Sequence, residues 1–175
     1  FELLQNAHDA GPRHGHDGIS VTFDLNGGVL RFEHDAAPFS LADIAALLTG
    51  GSSKDFDSHE TTGRFGTGFL VTHALSERVQ VRGVLTLDEE LRVFQVTLHR
   101  PDDETLILRN LKDSESALGH THHLPALNDG STATIEYVVD DINIVEAGLS
   151  AVEDALPHLF GACRKLRQIT IRRAE

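Results

Sequence analysis

The chain has 175 residues, with 15 Lys and Arg against 27 Asp and Glu, a formal charge of −12. Apolar residues make up 40% and charged residues 24%, a globular composition that excludes disorder as the main state. No run approaches the roughly 18 apolar residues of a membrane-spanning helix, and the acidity argues against a nucleic-acid surface, which needs clustered Lys and Arg.

Cys163 is the single cysteine. It excludes an internal disulfide framework and leads us to expect a reducing, cytoplasmic setting. Met is absent and the chain opens on Phe1, so we expect one domain over residues 1–175 cut from a longer protein.

Residues 1–10 (FELLQNAHDA) read as a helix ended by Gly11-Pro12. At the helical period, Glu2, Asn6 and Asp9 fall within about 60° of one another, beside an apolar face of Leu3, Leu4, Ala7 and Ala10. Residues 19–25 and 29–34 alternate as strands, and Asn26-Gly27-Gly28 between them signals a hairpin. Ser40 with Asp43 resembles a capping box that opens a helix over 41–48. Residues 49–62 are small and polar and read as a mobile loop. Gly63 to Phe69 (GRFGTGF) leads into a helix over 70–75. Strands are expected at 77–84, 91–99 and 104–109, a loop at 110–130, and a strand at 132–139. A helix is expected over 142–160, with Asp140-Asp141 as its N-cap and an interruption at Pro157. A strand over 168–172 closes the chain.

Two segments carry chemistry. A carboxylate and a carboxamide four residues apart, Glu2 and Asn6, project side by side from one helix. The amide oxygen is a hard ligand suited to Mg²⁺, and the carboxylate can orient or deprotonate a water. The same stripe would also serve as a plain solvated face. Gly63, Gly66 and Gly68 precede a helical run, where glycines let a phosphate approach backbone N–H groups and the helix N-terminus. The spacing is neither a Walker A loop nor a Rossmann fingerprint, and a flexible turn would use the same residues. His14 with His16, and His120 with His122 and His123, lack the Cys partners or helical frame of a zinc site and read as solvated loops. Cys163 reads as buried and inert.

Taken together, the two segments resemble the GHKL ATPase superfamily, which unites gyrase B, heat-shock chaperones, histidine kinases and MutL proteins through the Bergerat fold. Residues 2–10 resemble its ExxxNxxDA box. Residues 63–69 resemble its second glycine box, in the form closest to heat-shock chaperones and sacsin-like ATP-binding domains. His34-Asp35-Ala36-Ala37-Pro38-Phe39-Ser40 stands where the first glycine box, DxGxG, belongs. There the alignment puts His34 at the position of the adenine-reading Asp. A slip of one residue would restore Asp35 but turn its side chain to the other face of the strand. Ala36 and Pro38 fill both glycine positions.

The resemblance implies a two-layer α+β sandwich, with helices on one face of a mixed, mostly antiparallel sheet. It implies ATP and Mg²⁺ as ligands and slow hydrolysis coupled to closure of a lid at 49–62. Glu2 would be the general base, Asn6 the Mg²⁺ ligand, and Asp9 a pocket residue. Gly63, Phe65, Gly66 and Gly68 would cradle phosphates. Thr132 and either His34 or Asp35 would lie beside the adenine, and Lys54 would stand near the start of the lid. A second copy, or a neighbouring domain of the same chain, would complete the machinery. A nucleotide-binding or interaction module without turnover, and a histidine-kinase-type phosphotransfer domain, are the alternative expectations.

Overall fold

The computed structural model describes residues 1–49, 68–100, 103–128 and 130–174. Helix α1 (Glu2–Ala10) is followed by strands β1 (Ile19–Asn26) and β2 (Val29–His34), and by helix α2 (Leu41–Thr49). A single turn, α3 (Gly68–Val71), runs into a 3-10 turn over Thr72–Ala74. Then come β3 (Arg78–Leu87), β4 (Glu90–His99), α4 (Glu104–Leu118), β5 (His122–Leu124), β6 (Ala133–Val138), α5 (Ile142–Ala162) and β7 (Leu166–Arg173).

The strands form one seven-stranded sheet in the order β5-β4-β3-β6-β2-β1-β7. All neighbours pair antiparallel except β1 and β7, which run parallel; α5 leads from β6 into β7. Strand alternation puts one apolar row across the middle: Phe23 faces Phe32, Phe32 faces Ile135, Ile135 faces Val81, and Val81 faces Val96. The five side chains are buried. The intervening positions, such as Thr22, Arg31, Glu33, Gln80 and Glu136, are not. One face of the sheet therefore holds the core, joined by Leu3, Leu4 and Ala7 of α1, Ile44 and Leu47 of α2, and Val145, Leu149 and Val152 of α5. The expected two-layer α+β sandwich is the observed architecture.

Local chemistry explains the connections. Gly27 and Gly28 take φ of 57° and 77°, the left-handed pair that a two-residue hairpin turn requires. Asp88 and Glu89, at φ of 50° and 67°, make the same turn between β3 and β4 without glycine. The Ser40 N–H donates to Asp43 Oδ2 (2.8 Å) and the Asp43 N–H to Ser40 Oγ (3.2 Å), a reciprocal capping box at the start of α2. Phe39 enters β3 sideways: its N–H donates to Val84 O, its carbonyl accepts from Thr86 N–H, and its ring meets Phe94 edge-on. That ring occupies the space a side chain at Gly83 would need, 2.7 Å from an added Cβ.

Four expectations are corrected. Residues 104–109 are the start of helix α4, not a strand, and the stretch expected as loop contains the rest of α4 and the edge strand β5. The helix expected over 70–75 is a short α-turn followed by a 3-10 turn. Pro157 does not interrupt α5, which runs through it to Ala162. The expected lid, apart from Thr49 at the end of α2, lies outside the described residues. Among the described residues, no helix is long and apolar enough to cross a membrane.

Candidate functional site

Helix α1 buries Leu3, Leu4 and Ala7 against the sheet. That packing leaves Glu2, Asn6 and Asp9 along one flank. Glu2 and Asn6 are half-buried, whereas the Asp9 side chain is only 3% exposed, with one carboxylate oxygen 3.5 Å from His8 Nδ1. Gly11 ends the helix at φ of 76°, a conformation open to glycine. Its carbonyl accepts the Ala37 N–H at 2.8 Å, and Pro12 bridges to Ala36. The end of α1 is thereby joined to the chain leaving β2.

His34 and Asp35 part company at that point. Leu30, Phe32 and His34 alternate onto the helix-facing side of β2. His34 is 7% exposed, and the Ala36 N–H donates to its Nδ1 (3.3 Å). Desolvation lowers its pKa from 6.5 to about 4, against the opposing charge of Asp35, so the imidazole is neutral. Asp35 turns to the open face, where one oxygen accepts the Ser20 N–H (2.6 Å) and the other lies 3.5 Å from Arg167 Nη2. Of the two residues, His34 is the one on the helix side of the sheet.

Thr132, 2% exposed, closes the same corner from the strand on the other side. Its N–H donates to His34 O (2.8 Å), and its hydroxyl donates to Ala36 O (2.6 Å). Ala36 is fully buried, its N–H and carbonyl both engaged within this corner. Gly68 opens α3, and α3 packs against α1. The fold therefore gathers α1, the His34–Ala37 turn, Thr132 and the start of α3. Lys54, Gly63, Phe65 and Gly66 lie outside the described residues.

Other residues went unnoticed in the sequence. The Arg100 Nη2 donates to the carbonyls of Leu47 (3.4 Å) and Leu48 (2.9 Å), capping the C-terminus of α2. Beside it a cavity of about 210 Å³ opens between α2, β4 and α4, lined in part by Leu48, Leu98, Arg100 and Asn110. Both ring nitrogens of His73 and the Nε of Arg100 are buried without a hydrogen-bond partner. Burial, and then the charge of Arg100, lower the His73 pKa. No motif marks these residues; only their convergence from 27 positions apart in the folded chain does.

Among the described residues, no group of three or more His, Cys, Asp or Glu is placed to hold a metal ion. His120 turns back onto Ser116 O, while His122 and His123 lie in β5. Cys163, expected to be buried, is half-buried at the C-cap of α5. No protein-family model matches the chain, and no curated protein matches it.

Proposed function

We propose that this chain is a Mg²⁺-dependent ATP-binding domain with slow hydrolysis of ATP to ADP and phosphate. One observation carries the reading: the helix bearing Glu2, Asn6 and Asp9 packs against the turn that Gly68 opens, although the two are far apart in sequence. A nucleotide site needs an acid, a metal-binding amide and a glycine backbone around one triphosphate. These elements are neighbours, and the end of α1 is also joined to the His34–Ala37 turn beside Thr132.

The donors present suit the metal. Mg²⁺ prefers oxygen ligands and keeps several waters and phosphate oxygens, so one protein amide and a nearby carboxylate suffice. Asn6 would hold it, and when bound it would neutralise phosphate charge. In this reading Glu2 orients the attacking water and takes its proton as that water displaces ADP from the γ-phosphorus. The nearly buried Asp9 lines the pocket. The backbone N–H groups of Gly63, Phe65, Gly66 and Gly68 would meet the phosphates, Lys54 would stand near the start of the lid, and His34 would face the base with Thr132 behind it. A cation from a second copy or a neighbouring domain would speed turnover.

Isothermal titration with ATP and ADP, with and without Mg²⁺, tests the binding. Glu2→Ala should abolish hydrolysis, measured as phosphate release, while leaving ATP affinity within about twofold, because a base that acts on water contributes to the transition state and little to ground-state binding. Equal loss of both would remove Glu2 from the role of base. Binding without hydrolysis in the unmodified chain would leave a nucleotide-binding module.

A further inference from the structure

His34 is a buried imidazole whose proton position is set by its surroundings. The Ala36 N–H donates to Nδ1, so Nδ1 must carry a lone pair, and a neutral ring then carries its hydrogen on Nε2. A proton on Nδ1 would set two donors against each other. Protonation of both nitrogens is opposed by desolvation. Among the described residues, nothing hydrogen-bonds Nε2. More than nine-tenths of the residue is buried, on the helix-facing side of the sheet beside Thr132. Nε2 is not one of the buried polar atoms left without a partner, so its hydrogen is open to solvent and to an acceptor that a ligand supplies.

The polarity of that group decides which purine it suits. A carboxylate in this position accepts, and so matches the 6-amino group of adenine. An Nε2–H donates, and so matches the 6-oxygen of hypoxanthine or guanine, where adenine presents a donor. Resting on the reading of this corner as the base subsite, we propose that His34 reads the purine 6-position as an acceptor, so that 6-oxopurine triphosphates bind at least as tightly as ATP. Thr132 reinforces the selection from behind. Its hydroxyl and N–H are committed to the carbonyls of Ala36 and His34, which holds the Ala36 N–H against Nδ1 and keeps the tautomer.

The full chain would be titrated with the Mg²⁺ complexes of ATP, ITP and GTP. ITP differs from ATP only at the purine 6-position and the adjoining N1. The expected result is an ITP dissociation constant equal to or below that of ATP. His34→Asp should reverse the order, favouring ATP by about tenfold, because it exchanges a donor for an acceptor at one position. A tenfold preference of the unmodified chain for ATP over ITP would overturn the inference and leave the triphosphate reading standing. No binding of any of the three would overturn both. A measurement independent of the variant's folding is the nitrogen-15 spectrum of the His34 ring. It should show the Nε2–H tautomer in the free protein and an Nε2 shift on adding ITP. An Nδ1–H tautomer would overturn the inference.

Discussion

Burial holds His34 neutral in the folded chain, with its pKa moved from 6.5 down to about 4. Between those values the unfolded chain binds a proton that the folded chain refuses. The folded state therefore keeps its full stability above pH 6.5 and loses this share as the pH falls toward 4. The share lost between about pH 7.5 and pH 5 is about 2 kcal/mol by linkage. His73, also lowered chiefly by burial, acts in the same direction. Urea unfolding at the two pH values, on the unmodified chain and on His34→Gln, isolates the His34 share. The variant should show the smaller pH dependence, and equal slopes would remove His34 from the account. The same residue shows what β2 could disclose in advance. The alternation of Leu30, Phe32 and His34 separates His34 from Asp35 once the register is known. In the sequence a one-residue slip stays open, because nothing there shows that Asp35 has partners in Ser20 and Arg167 on the open face.

Helix α4 illustrates the same limit for a whole element. Its inward positions are Ile107, Asn110, Leu111, Ser114, Ala117 and Leu118, a helical spacing hidden because two of the six are polar. Asn110 pairs with His99 Nδ1 (2.9 Å), and the Ser114 hydroxyl donates to Thr97 O (3.1 Å). These bonds dock the helix on β4 with hydrogen bonds where the pattern looks for apolar side chains. Meanwhile Leu106 and Leu108, 41% and 62% exposed, mimic strand alternation. The Asp103 side chain accepts the Thr105 N–H and caps the helix, a start signal that the strand expected at 104–109 passed over. Helix α5 errs in the opposite direction. Pro157 is the expected breaker, yet its ring sits on the solvent side while Val145, Leu149 and Val152 anchor the helix inside. Arg173 ties it to β7 through Glu146 and Glu153. Proline there still denies the Glu153 carbonyl its usual partner. Pro157→Ala should therefore raise stability by about 1–3 kcal/mol, read as a higher urea midpoint with an unchanged slope. A lower midpoint would mean that the helix is bent to suit the ring.

At the scale of the molecule, the site depends on strand order. β6 lies between β2 and β3, so Thr132, just before β6, meets His34 from 98 positions away. The polar stripe of residues 2–9 and the glycines at 63–68 show in the sequence because each is local. The Thr132 contact and the burial of Ala36 are not local, and no spacing rule reaches them. Because α1, β2 and β6 contribute to one core cluster with β1, β3, β4 and α5, a ligand gripping that corner should stabilise the whole, not a flap. A nucleotide bound only to the folded chain at one hundred times its dissociation constant adds about 2.7 kcal/mol. For a domain of this size that raises the melting temperature by roughly 5–10 °C. Differential scanning calorimetry with a Mg²⁺–triphosphate in excess should show one transition moved upward, with its cooperativity kept. Two separating transitions would mean that the corner unfolds apart from the sheet. In that case the joined end of α1 would not couple ligand binding to the core.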